Sequence, residues 1–316
     1  MLQTLSITFV ATLALLLIIL PGYAVGKTKL VSERATVDLT KILLFVCSPC
    51  MFFMTFQKLE HNLALLWDLL LFAGLVLLIS GIMLASAFFL LFKRQTEPLI
   101  RIITIATALA NCAFFGIPII EALYENASEL IIYTSVWGIT MNILGWTVVS
   151  AIIAHDRKYM SAKKILLNPA TLGGLAGLLF FLLNINLATL FPTLWSMVEI
   201  LGRASSPVSM LIVGLRLSGV RFRELFNDWR IYLTIAVKQF LMPLVAFVIV
   251  FFLPIDIQVK QVFVLLAACP VAAIVQSFSE MLGHGEKEAA KLVLLGTILS
   301  IVTLPIASLF LPLLGA

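Results

Sequence analysis

The chain has 316 residues, 62% apolar and only 12% charged, with a formal net charge of +5. A water-soluble domain carries about a quarter of its residues as Asp, Glu, Lys or Arg, so a water-facing globule is excluded and hydrocarbon is the solvent that fits. The basic residues stand singly among apolar blocks, which excludes a phosphate-binding stripe and, with it, nucleic acid as a partner.

In chain order, the first apolar block runs near 5–25. It lacks a basic leader, and Lys27 and Lys29 follow it, the order of an uncleaved first span rather than of a secretory signal. Further blocks lie near 36–56, 65–92, 99–122 and 131–154. After the basic connection 156–164 come others near 166–187, 193–217, 229–252, 260–282 and 290–313. Each is about the length of ~20 residues that crosses roughly 30 Å of hydrocarbon as helix. The pattern predicts an all-α membrane protein of ten transmembrane helices.

The basic residues then set the orientation. With the N-terminus outside, the cytoplasmic connections hold Lys27, Lys29, Arg34 and Lys41; Lys93, Arg94 and Arg101; Arg157, Lys158, Lys163 and Lys164; Arg216, Arg221, Arg223 and Arg230; and Lys287 and Lys291. The outer connections hold only Lys58 and Lys260. That asymmetry is a positive-inside signal and puts both termini outside a cytoplasmic membrane. Dividing at the central basic connection gives a first five-helix repeat over 1–155, a connecting loop over 156–164 and a second repeat over 165–316. An odd number of spans per repeat inverts one relative to the other, the arrangement of inverted-repeat transporters.

Chemistry concentrates in the fourth, eighth and ninth blocks. The segment 111–118 reads Asn-Cys-Ala-Phe-Phe-Gly-Ile-Pro. Proline in a helix interior removes a backbone hydrogen bond and clashes with the preceding turn, and Gly116 loosens the turn before Pro118. Two readings are open: a simple proline kink, or a helix broken around Gly116 and Pro118 whose freed half-helix N-terminus attracts an anion. Pro270 in the ninth block favours the second, with broken helices 4 and 9 crossing. Asn111 adds a neutral donor and acceptor. Gln276 is either a substrate contact or polar glue between helices.

Lys238 and Arg203 are the basic residues inside blocks, and a charge at bilayer depth is a functional candidate by default. Arg203 has Glu199 one turn before it, so an internal ion pair is an alternative. Lys238 has three open roles: partner to an anionic substrate, cap of a broken-helix C-terminus, or protonatable coupling group. Cys47 and Cys50 have redox-motif spacing but no partner ligands, and His61, His155 and His284 are scattered, so neither a metal nor a cofactor is expected. With no nucleophile motif and no phosphate loop, the chain reads as a transporter and not an enzyme. Asn126 opens a glycosylation triplet on the outer side, a pattern common by chance.

The sequence resembles the auxin efflux carrier family, which includes bacterial organic-acid permeases and the PIN-type auxin exporters. Gly22-Tyr23 with Gly26-Lys27, Ser32-Glu33, and Pro49 with Met51-Phe52 are similar to the family's first hairpin. Asn111, Gly116 and Pro118 reproduce its fourth-span spacing, and Asn168-Pro169 opens the sixth span. Pro207 with Gly214 and Leu217, Lys238 with Pro243, and Pro270, Gly283 and 300–305 resemble the later spans. In the family a Gly-Asn-Thr-Gly run often surrounds the asparagine, where this chain has Ala110-Asn111-Cys112-Ala113. A polar residue often stands four positions after the ninth-span proline, where this chain has Ile274.

The resemblance implies a central site for an organic anion, an elevator-like motion and a homodimer. Combined with the residues above, it gives a secondary active transporter of a small carboxylate such as malate or malonate. Asn111, Gly116, Pro118, Pro270, Gln276 and Lys238 are the candidate substrate-binding residues. Membrane lipid is the surrounding partner, and a proton or sodium gradient is the candidate driving force. The alternative is a cation/proton antiporter or sodium-coupled symporter of the same architecture, which calls for carboxylates near Asn111 or Pro270.

Overall fold

The computed structural model describes residues 2–32, 34–220 and 227–315. Glu33, Arg221 and Arg223, used in the sequence reading, lie outside them. Among the described residues the regular structure is helical, with one isolated antiparallel backbone bridge.

Among the described residues, eight helices are long and apolar enough to cross a membrane. They are α1 (Leu2–Lys27), α2 (Ala35–Gln57), α3 (Leu65–Leu90), α6 (Ala127–Ala154), α7 (Arg157–Leu182), α8 (Pro192–Gly219), α9 (Trp229–Phe251) and α12 (Glu286–Gly315). The fourth and ninth apolar blocks are instead each divided into two half-length helices. The fourth holds α4 (Pro98–Ala106) and α5 (Cys112–Leu123), and the ninth holds α10 (Ile257–Ala268) and α11 (Ala273–Leu282). Large apolar side chains stay on the outside, Trp67, Leu70, Phe89, Leu90 and Phe252 among them. In water they would form an aggregation-prone surface; in hydrocarbon they are solvated.

Lipid tails give no hydrophobic reason for helices to associate, so close packing of small residues does that work. α8 lies against α1 and α7 against α2. A side chain at Gly214 would strike the backbone of Ile19 and Tyr23, and one at Gly173 the backbone of Pro49. Glycine is what lets these backbones touch. Elsewhere the core is aromatic: Phe72, Tyr133, Trp137 and Phe263 join α3, α6 and α10 with ring centroids between 4.8 and 6.1 Å apart.

Prolines inside these helices are absorbed rather than breaking them. Widened π-type turns at Leu43–Cys47, Cys112–Gly116 and Val237–Leu241 each end two residues before a proline: Pro49, Pro118 and Pro243. A π turn shifts the hydrogen-bond register by one residue, so the ring and its missing N–H are accommodated. Ser48 adds to this by donating its hydroxyl to the Leu43 carbonyl at 2.8 Å. The expected break around Gly116 and Pro118 is therefore corrected. Both residues lie within the helical run of α5, and the chain leaves helical geometry earlier, between Thr107 and Asn111. In the ninth block the break does contain its proline, since Pro270 lies between α10 and α11.

Candidate substrate site at two crossing helix breaks

A helix interrupted at bilayer depth leaves N–H and C=O groups that water cannot reach, so they must be paired within the protein. Here the two breaks pair with each other. The Asn111 N–H donates to the Pro270 carbonyl at 2.8 Å, and the Ala272 N–H donates to the Leu109 carbonyl at 3.0 Å. Ala110 and Val271 face each other between these bonds. Pro270 has no N–H of its own, so its carbonyl is all it can offer the ladder. Asn111, Pro270 and their neighbours are thus brought into one antiparallel crossing.

The crossing gathers four helix ends. α5 and α11 present N-termini with free N–H groups and partial positive charge, while α4 and α10 present C-termini with free carbonyls. The C-terminal end of α10 is closed by Lys238 from α9. Its ammonium is fully buried and donates to the carbonyls of Ala267 at 2.7 Å and Cys269 at 2.9 Å. Of its open roles, these contacts are those of a helix cap.

Beside the two N-termini lies a cavity of about 80 Å³. Asn111, Ala272, Ala273 and Ser277 line it from the breaks, with Ser48 from α2, Asn142 from α6, and Ser209 and Arg216 from α8. Phe52, Phe114, Met141 and Ile212 are among its apolar lining residues. The volume is far below the ~300–1,000 Å³ of drug-sized sites, so any occupant is small.

Arg216 is the residue that the sequence reading missed, having counted it as a topology signal. Its side chain is 8% exposed and donates through Nη2 to Glu280 Oε2 at 3.1 Å. Among the described residues its buried Nε has no hydrogen-bond partner, and neither does the buried Asn111 Nδ2. Two residues lining one small cavity therefore each carry a buried, unsatisfied donor. Gln276 stands one step back, donating to Glu280 Oε1 at 2.8 Å. Gly116, Pro118, Pro270, Gln276 and Lys238 are not among the cavity-lining residues; of the six predicted site residues, Asn111 alone is.

Arg203 is elsewhere. It pairs with Glu199 at 3.0 Å, and Lys58 approaches the same carboxylate at 3.4 Å, as the ion-pair alternative required. A second, larger cavity of about 530 Å³ lies toward the 57–64 and 253–258 connections. Glu60, Asp68, Glu129 and Asp256 line it without a basic residue, so its field disfavours anions.

Comparison with known proteins identifies the chain. The profile of a family described as membrane transport protein matches twice, over residues 7–165 and again over 157–308. The chain belongs to that family, which is the auxin efflux carrier family. It is a multi-pass membrane protein of a transporter family, with an internally repeated sequence. No curated protein matches it.

Proposed function

We propose that the protein is a secondary active transporter, a permease, for a small organic anion such as malate or malonate. One observation carries this reading: Arg216 and Asn111 line the same cavity, and among the described residues each keeps a buried donor, Nε and Nδ2, without an acceptor. An unmade hydrogen bond on a buried donor costs about 1–3 kcal/mol, and a carboxylate supplies the acceptors that would relieve it. The N-termini of α5 and α11 add favourable partial charge at the same place.

Arg216 takes the charge-balancing role in this reading, and Lys238 acts through the end of α10 rather than by touching substrate. Pro270 contributes by fixing the Asn111 backbone. No carboxylate lines the cavity among the described residues, and Glu280 behind it is already held by Arg216 and Gln276, which favours an anion over the cation of the antiporter alternative.

The architecture that accompanies this function is ten spans, with α4 plus α5 and α10 plus α11 each counting as one. They form inverted repeats over 1–155 and 165–316, with both termini outside the cytoplasmic membrane. The exchange of neighbours supports it. The first helix of one repeat packs on the second of the other, α1 on α8 and α7 on α2, and fourth crosses fourth.

The test is uptake of labelled organic acids by proteoliposomes containing the parent and Asn111→Ala. The parent is expected to concentrate at least one acid against its gradient, with weakened apparent affinity in the variant. Unchanged kinetics for every acid moved would remove Asn111 from the site. Gradient-driven cation flux with no organic substrate would support the antiporter instead.

A further inference from the structure

Lys238 is 0% exposed, and its hydrogen bonds among the described residues go to backbone, not to a carboxylate. A buried ammonium without a counter-ion costs several kcal/mol in desolvation, and an apolar residue of similar size would avoid that cost. What the charge meets is the C-terminal end of a half-helix, where carbonyls are unsatisfied and the macrodipole is negative. In inverted-repeat transporters, unwound carbonyls and half-helix C-terminal ends are where a coupling Na⁺ or H⁺ sits. Here two such carbonyls, Ala267 O and Cys269 O, converge on a cation carried by the chain itself.

The delivering helix is firmly held. Gln239, the next residue, donates to the Gly296 carbonyl at 2.7 Å and accepts from Thr303 Oγ1 at 3.0 Å. Both partners are on α12, so the base of the Lys238 side chain is tied down. Its π-type turn, Val237–Leu241, sets the position from which the ammonium reaches α10.

We propose that the Lys238 ammonium is a tethered substitute for a dissociable alkali cation at the end of α10. Transport then needs no Na⁺ at this break, and removal of the side chain opens a seat that an alkali ion fills. The statement about transport rests on the transporter reading above; the statement about the seat does not.

The decisive experiment is thermal unfolding of purified parent, Lys238→Ala and Lys238→Met at constant ionic strength, with choline exchanged for Na⁺, Li⁺ or K⁺. The parent midpoint is expected to be the same in all four salts. Lys238→Ala should melt lower in choline and recover saturably with at least one alkali ion, by about 3 °C or more. Lys238→Met, which refills the space with an apolar chain, should show no such recovery. A saturable Na⁺ response of the parent, indifference of Lys238→Ala to all three ions, or an equal response from Lys238→Met overturns the proposal.

A parental transport assay decides the matter even if Lys238→Ala does not fold. Anion uptake is expected to survive replacement of Na⁺ by choline within about twofold, and a tenfold or greater loss overturns the tethered-cation role. If the parent moves no anion in either salt, the transporter reading fails while the unfolding comparison still decides the seat.

Discussion

Lys238 and Arg216 are both basic side chains drawn into the interior near the same crossing, yet their surroundings use them differently. The ammonium gives two hydrogen bonds to the carbonyls that end α10 and does not line the cavity. The guanidinium gives one bond to Glu280 and keeps a buried N–H unspent beside the cavity. Burial of charge alone therefore does not mark a ligand site. What separates these two cations is that the donors of Lys238 are used on backbone, whereas Arg216 lines a cavity and keeps a donor unused.

The largest effect expected from breaking this comparison is on stability. Lys238→Met leaves two buried carbonyls unpaired at about 1–3 kcal/mol each, offset in part by the ammonium desolvation it removes, so the melting midpoint in choline should fall by about 5 °C. A fall below about 2 °C in a differential scanning measurement would erase the distinction between the two cations.

Arg216→Gln should do the reverse. Hydrogen bonds to charged groups are worth about 1.5–3 kcal/mol, so apparent affinity for the transported acid should drop roughly 30-fold. The melting midpoint should move by less than about 3 °C, because Glu280 is 37% exposed and water can take over its hydrogen bonds. Arg216→Lys should not restore transport, since an ammonium lacks the fork of the guanidinium. Recovery of parental kinetics by lysine would mean that only net charge matters.

A smaller sharpening comes from Asn111→Ala, which removes one neutral donor worth about 1 kcal/mol and should raise the apparent KM roughly fivefold. The smallest effect belongs to Arg203→Ala. Its side chain is 61% exposed and its pair with Glu199 is an i,i+4 contact, so stability should change by less than about 0.5 kcal/mol. Transport kinetics should not change.

Much of this arrangement was readable from the chain, because hydrocarbon imposes a length on every apolar block. Seven of the eight long helices match the predicted blocks with boundaries shifted by a few residues, whereas α7 begins nine residues early, inside the expected connecting loop 156–164; the two blocks with suspected breaks are the ones divided in half. The position of the first break was not readable. Pro118 looked like the breaker, but a π-type turn accommodates it and the chain opens at Asn111 instead. That adjustment depends on hydrogen-bond register, which residue identity does not encode.

Arg216 was hidden for a different reason. It lies in the last turn of its helix, where positive charge is common at a membrane face, and its partner Glu280 is 64 positions away. Arg101 was hidden in the same way. It was counted as a topology signal, but it is buried and donates to the Ile153 carbonyl near the end of α6 at 2.7 Å. The available hint was the place of Arg216 between Gly214 and Leu217, inside a segment already noted for its resemblance.

The bonds from Asn111 to Pro270 and from Ala272 to Leu109 also have a mechanical meaning. Pulling either break away from the other would strand two donors and two acceptors where no water replaces them, at several kcal/mol for each unpaired group. The crossing therefore works as a rivet. Any shape change of the protein must carry the two breaks together as a single block, or find new partners for all four groups at once.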